Sequence, residues 1–160
     1  MPTPAELIAQ KIMPLDALLR KAQLWRFKNE KLVFSNGCFD ILHQGHLHTL
    51  GEAAALGTKL IVGLNSDASV RHLKGETRPV QDQQSRAMLL AALFFVDAVV
   101  IFDEATPYNL IAALQPDILV KGGDYDTNSI VGADVVQAKG GKVLTIPFLA
   151  GFSTTNILKK

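Results

Sequence analysis

The chain has 160 residues, of which 48% are hydrophobic and 19% charged, with a net charge of +1. That length suits one domain with a core of its own, and the balanced charge excludes bulk attraction to nucleic acid or to an anionic membrane surface. No apolar run approaches the ~20 residues of a spanning helix, the N-terminal stretch lacks the continuous apolar segment of a secretory signal, and the single cysteine, Cys38, allows no internal disulfide, so a cytoplasmic setting is expected.

Residues 1–30 read as a helical lead-in with breaks at Pro4 and Pro14, and Leu15, Leu18, Leu19 and Ala22 share a face at helical spacing. Short apolar runs follow at Leu32–Phe34, Leu60–Leu64, Ala98–Ile101, Ile118–Val120 and Val143–Ile146. They do not alternate with polar residues, as expected of strands buried on both faces of a parallel sheet. Helical segments are expected between and after them, over about 46–57, 83–93, 106–114, 129–138 and 154–159. Repeated strand and helix predict an α/β fold with a doubly wound five-stranded parallel sheet. Residues 65–80 and 121–132 fit neither class and read as polar loops.

Ligands of such sheets bind beyond the carboxyl ends of the strands, where the strand order reverses. The polar clusters at 35–46, 65–78, 121–126 and 151–156 all fall at strand ends. The densest is "SNGCFDILHQGHLHTL", Ser35 to Leu50, with three histidines in sixteen residues. His43 and His46 are three apart at an expected helix start, where free N–H groups and the helix dipole favour anions. Gly37 and Gly45 leave room for a ligand to approach the backbone. "GFSTTNILKK" opens the last helix with Ser153, Thr154 and Thr155, a further expected phosphate-binding start. Zinc is disfavoured, because there is one cysteine and no H-E-x-x-H. No G-x-G-x-x-G follows the first strand, which sets aside a dinucleotide oxidoreductase.

"FSNGCFDILHQGH" resembles the first motif of the HxGH nucleotidyltransferase superfamily, through Ser35, Gly37, Phe39, Asp40, His43, Gly45 and His46. "VGLNSDASVRHLKGETRPV", "LVKGGDY" and "GFSTTNILKK" further resemble the adenylyltransferase part of bacterial heptose-1-phosphate nucleotidyltransferases, in its stand-alone rather than kinase-fused form. The resemblance covers about 30–160. It implies a Rossmann-like sheet of order 3-2-1-4-5 and a single domain over 1–160, with 1–30 as N-terminal extension and 31–160 as catalytic core.

The implied reaction moves AMP from ATP to a heptose 1-phosphate, releasing pyrophosphate, with Mg²⁺ accompanying ATP and ADP-heptose for lipopolysaccharide core or surface glycan as product. The resemblance assigns catalysis to His43, His46 and Lys74, the last on a flexible loop. It assigns nucleotide binding to Ser35, Asn36, Gly37, Phe39, Gly45, Arg86, Lys121, Ser153, Thr154 and Thr155. Sugar-phosphate binding is expected of Asp40, Asn65, Asp67, Arg78, Gly123 and Asp124, with Lys121 and Asp124 facing the histidine turn. No metal cage is foreseen. Cys38 reads as packing. The stripe "MLLAALFFV" (88–96) reads as core or as core plus the face of a homodimer. Two alternatives stay open: a cytidylyltransferase acting on glycerol 3-phosphate or a related phosphate, and a nucleotide-binding module without catalysis.

Overall fold

The computed structural model describes residues 1–160. Five strands form one sheet: β1 (Leu32–Gly37), β2 (Lys59–Asn65), β3 (Ala98–Phe102), β4 (Ile118–Gly122) and β5 (Lys142–Ile146). Every pairing is parallel, and the order is β3-β2-β1-β4-β5, as expected. The helices are α1 (Pro4–Ala9), α2 (Leu15–Phe27), α3 (Gln44–Ala54), α4 (Asp67–Lys74), α5 (Gln83–Ala92), α6 (Tyr108–Leu114), α7 (Ala133–Ala138) and α8 (Thr154–Leu158).

The central strand shows why the strand sequences are uniformly apolar. Val33 packs with Leu50, Leu60 and Leu90 on one face of the sheet, while the next residue, Phe34, packs with Leu18, Ile61 and Ile111 on the other. A strand covered on both sides has no solvent-facing position for a polar residue. α2, α6 and α7 supply Leu18, Ile111 and Val136 to the Phe34 face. α3 and α5 supply Leu50 and Leu90 to the Val33 face. Val33 lies opposite both Leu60 of β2 and Ile118 of β4, so the strand order reverses at β1.

The N-terminal helices are part of this packing. Leu18, Ala22 and Trp25 of α2 are buried. Pro4 and Pro14 start helices instead of breaking them: Pro4 is the first residue of α1 behind a Thr3–Glu6 capping box, and Pro14 is the N-cap of α2. Proline suits these places because the missing N–H has no partner there anyway. Between the two helices the chain pairs with the edge of β3. The Met13 N–H donates to Val99 O at 3.0 Å and the Val99 N–H to Lys11 O at 2.8 Å, which covers an edge that would otherwise be open.

Two expectations are corrected. Residues 67–74, read as loop, form α4. Ser66 caps it by accepting from the Ser69 N–H, and Asp67 at the start and Arg71, His72 and Lys74 at the end suit the helix dipole. Only Ser69 and Val70 of this helix are buried, and with Val70 and Leu73 as its only large apolar residues it is too short and polar for periodicity to mark it. Conversely, the helix expected over 129–138 begins only at Ala133. Gly132 has φ +87°, where a side chain would be strained, and an added Cβ would sit 2.6 Å from Ile111. No helix is long and apolar enough to cross a membrane.

Candidate active site

The histidine turn joins β1 to α3. His43 is the N-cap of α3, and its Nδ1 accepts from the Gly45 N–H at 3.1 Å. His46, three residues on, closes a capping box by accepting from the His43 N–H at its own Nδ1, 3.3 Å. This is a serine–glutamate capping box rebuilt from two imidazoles. Because both Nδ1 atoms accept backbone N–H groups, each neutral ring carries its proton on Nε2. The rings stack at 3.8 Å with 21° between planes, and Phe39 meets His46 edge-on at 5.2 Å. Phe39 itself has φ +45°. At Gly45 a Cβ would lie 2.9 Å from His43 Cε1 and 3.1 Å from Phe152 Cβ, so any side chain would push the ring or the final loop aside.

Burial, with smaller contributions from His43 and Lys74, lowers the pKa of His46 from 6.5 to about 4. Burial also lowers His43. Both rings are therefore neutral N–H donors at neutral pH. Between pH 6.5 and about 4 the unfolded chain protonates its imidazoles while the folded chain leaves His46 neutral. The unfolded state then binds more protons, so stability falls as pH falls through this window. Urea midpoints across it should decline in the wild type and decline less in His46→Asn.

Around the histidines lie three connected cavities at the carboxyl edge of the sheet. The first, about 500 Å³, is bounded by His43, His46, Lys74, Arg78, Phe148 and the 151–156 turn. Ser153 caps α8 by accepting from the Asn156 N–H at 3.0 Å, and Ser153, Thr154 and Thr155 face this cavity. The second, about 340 Å³, holds Ser35, Asn36, Gly37, Phe39, Lys121 and Tyr125, and shares His46, Lys74 and Thr154 with the first. The third, about 240 Å³, shares Asn36, Gly37, Cys38 and Lys121 with the second and reaches Asn65. Gly123 lies beneath Phe148 and Tyr125.

Lys74 reaches the first two cavities from the last residue of α4, not from a loop as expected. Arg78 is anchored by its Nε to Asp40 Oδ2 at 2.5 Å, while its buried terminal nitrogen Nη2 has no partner. An unpaired guanidinium nitrogen beside two imidazoles and a lysine suits an anion.

Four assignments change. Asp40, expected to read substrate, is 2% exposed and serves the chain. Its carboxylate takes Arg78 Nε and the Val80 and Gln81 N–H groups at 2.8 and 3.1 Å. Burial acts to raise its carboxyl, but these donors outweigh it and hold the group below its usual range. Arg86, expected at the nucleotide, is fully buried and donates to Gln81 O, Cys38 O, Asn65 O and Asp67 Oδ1 at 2.7–2.9 Å. Asp67, expected at the sugar, is thereby paired with Arg86. Asp124 is exposed and lines none of the three cavities, whereas Lys121 lines two. Side chains turn over between neighbours after the strand ends, and Asp124 lies beyond Gly123, whose φ of +113° turns the chain away.

The reading from residues missed Thr49, Phe148 and Tyr125. Thr49 follows His46 by three on α3, so helical spacing alone would have placed it on the same face. Phe148 and Tyr125 sit in loops and carried no comparable signal.

Comparison with known proteins places this geometry. A profile described as cytidylyltransferase-like matches residues 34–159. Bifunctional protein HldE of Hyphomonas neptunium is 52% identical over 93% of this chain and 31% of its own length, and that of Wolinella succinogenes 53% over 94% and 31%. The chain thus spans about a third of the curated relatives it matches. A solved lipopolysaccharide core biosynthesis protein from Thermoplasma volcanium superposes with a TM-score of 0.60 at 28% identity, covering 75% of this chain and 97% of that one. The pantoate-beta-alanine ligase of Francisella tularensis, at 16% identity and a TM-score of 0.57, shares the fold over 92% of this chain and 75% of its own. With 34–159 matched and the histidine turn at the switch point of a 3-2-1-4-5 sheet, the chain belongs to the cytidylyltransferase-like family.

Proposed function

We propose that the chain transfers AMP from ATP to a heptose 1-phosphate, releasing pyrophosphate, in the cytoplasmic supply of ADP-heptose for lipopolysaccharide core or surface glycan. The observation that carries this reading is the stacked histidine pair, whose capping bonds turn both Nε2–H groups to phosphate service beside Lys74 and the unpaired Arg78 nitrogen. The heptose follows from the motifs "VGLNSDASVRHLKGETRPV" and "GFSTTNILKK", and from 50–53% identity to HldE proteins.

A phosphate monoester at neutral pH carries about −1.5 to −2 charges, so the acceptor needs no general base. One of its oxygens forms a bond to the α-phosphorus of ATP. The bond from that phosphorus to the bridging oxygen breaks, and pyrophosphate leaves with the electron pair. His46 and His43 donate to α- and β-phosphate oxygens as neutral groups, Lys74 and Arg78 offset charge across the triphosphate, and the 153–155 helix start binds its far end. Catalysis is then positioning and preorganised electrostatics. No cluster of three or more His, Cys, Asp or Glu side chains could hold a metal, and Asp40 and Asp67 are engaged by arginines. Mg²⁺ suits this site as a passenger on the triphosphate, where it neutralises phosphate charge. Leu89 and Phe94 stay exposed within the 88–96 stripe, a surface that would suit a second copy of the chain.

The test is pyrophosphate release with Mg²⁺, crossing ATP and CTP against β- and α-heptose 1-phosphate and glycerol 3-phosphate. Turnover is expected with ATP and β-heptose 1-phosphate. Turnover confined to CTP with glycerol 3-phosphate would keep the chemistry and discard the substrates, and no turnover from protein that binds ATP would leave a nucleotide-binding module.

A further inference from the structure

The third cavity has a different character from the other two. It holds no histidine, arginine or carboxylate, and Lys121 is its only charged residue. Its floor is amide. Asn65 is 3% exposed, and its amide nitrogen donates to Ser69 Oγ at 2.9 Å, leaving the amide oxygen free toward the cavity. Asn36 is the second amide. The walls are apolar, from Leu73 of α4, Pro107 before α6 and Val131 before α7. At about 240 Å³ it lies below the ~300–1,000 Å³ of pockets for drug-sized ligands, so it suits one sugar ring and not a nucleotide.

We propose that this cavity is the sugar subsite, with the acceptor phosphate at Lys121 and the sugar hydroxyls at the Asn65 and Asn36 amides. This rests on the reading of the chain as a sugar 1-phosphate nucleotidyltransferase. The Asn65 amide oxygen accepts from no group of the chain and is not sealed off from the cavity, so a sugar hydroxyl can donate to it. The apolar walls pack the C–H face of the ring. Lys121 lines both this cavity and its neighbour, while the histidines line only the cavities beyond. The acceptor phosphate at Lys121 would therefore lie between the sugar and the α-phosphate, as attack requires. Selection among sugars then comes from neutral amides and the 105–107 and 130–131 rims rather than from carboxylates. Lys121 serves the acceptor, not the nucleotide.

Two exposed rim positions test this with little risk to folding: Ala105→Trp and Val131→Trp, each adding bulk to the cavity mouth. In either, KM for the sugar 1-phosphate should rise by about tenfold or more, while KM for ATP stays within about threefold. A second readout is Cys38, the only cysteine, half-buried at the junction of the two cavities. With a non-hydrolysable ATP analogue present throughout, β-heptose 1-phosphate should slow iodoacetamide labelling of Cys38 in the wild type and not in Ala105→Trp. If the wild type turns over and both variants keep its sugar KM, the subsite is wrong and the reaction stands. If the wild type turns over no acceptor, the reaction falls. The subsite then survives only if sugar 1-phosphate still protects Cys38 in the wild type and not in the variant, and absence of protection overturns it as well.

Discussion

Replacing His46 by alanine should lower kcat for pyrophosphate release by roughly 10²–10³, the loss seen when one preorganised donor to a developing oxyanion is removed. The Kd for ATP should stay within about threefold, because a contact that strengthens only in the transition state appears in kcat. The geometry allows a sharper version. His46 does two things: Nδ1 accepts the His43 N–H, and Nε2–H is left for the ligand. Alanine removes both, and the lost cap should cost about 0.5–2 kcal/mol of stability. His46→Asn restores an acceptor near Nδ1 without a donor near Nε2, so it should recover stability and not kcat. His46→Gln, whose amide reaches further, should recover part of kcat. An unchanged kcat in His46→Ala, or full recovery in His46→Asn, would remove His46 from the chemistry.

What could be read from the residues follows the physics that fixes each feature. The sheet was legible because burial on both faces leaves strands such as "KLIVGLN" without polar alternation. The histidine turn was legible through its resemblance to the HxGH motif, since two histidines at a helix start, taken alone, suit local packing as well as a ligand. α4 was not, since an eight-residue helix whose large apolar residues are Val70 and Leu73 alone is too short for its period to stand out. The roles of Asp40, Asp67 and Arg86 were misread for a related reason. Polar residues at strand ends can face a ligand or tie the ends together, and sequence does not distinguish an Asp that reads a sugar from one that clasps Arg78. Geometry does: Asp40 gives its acceptors to three groups of the chain. Asn65, expected at the substrate, lines a cavity, and its amide oxygen accepts from no group of the chain.

Arg86 therefore carries the largest expected effect on folding. Its guanidinium is fully buried and joins the end of β1 through Cys38 O, the end of β2 through Asn65 O, the start of α4 through Asp67 and the entry to α5 through Gln81 O. Arg86→Met keeps much of the volume but leaves these buried carbonyls without donors. An acceptor left without its donor costs about 1–3 kcal/mol, so three carbonyls losing theirs cost about 3–5 kcal/mol toward the low end of that range, and for a chain of this size each kcal/mol moves Tm by roughly 2–4 °C. Arg86→Met should thus unfold roughly 6–20 °C below the wild type. Arg86→Lys should recover only part, because one ammonium cannot span four acceptors set around a planar fork. A residue that touched the nucleotide directly would behave otherwise: ATP affinity would drop while the melting curve without ligand stayed in place. Thermal scans of the ligand-free protein, paired with ATP titration below the transition, separate the two. A wild-type Tm in Arg86→Met with weakened ATP binding would return Arg86 to the nucleotide site. A large fall in Tm, with near-native ATP affinity in the fraction still folded, would establish it as the strut that holds the strand ends in place.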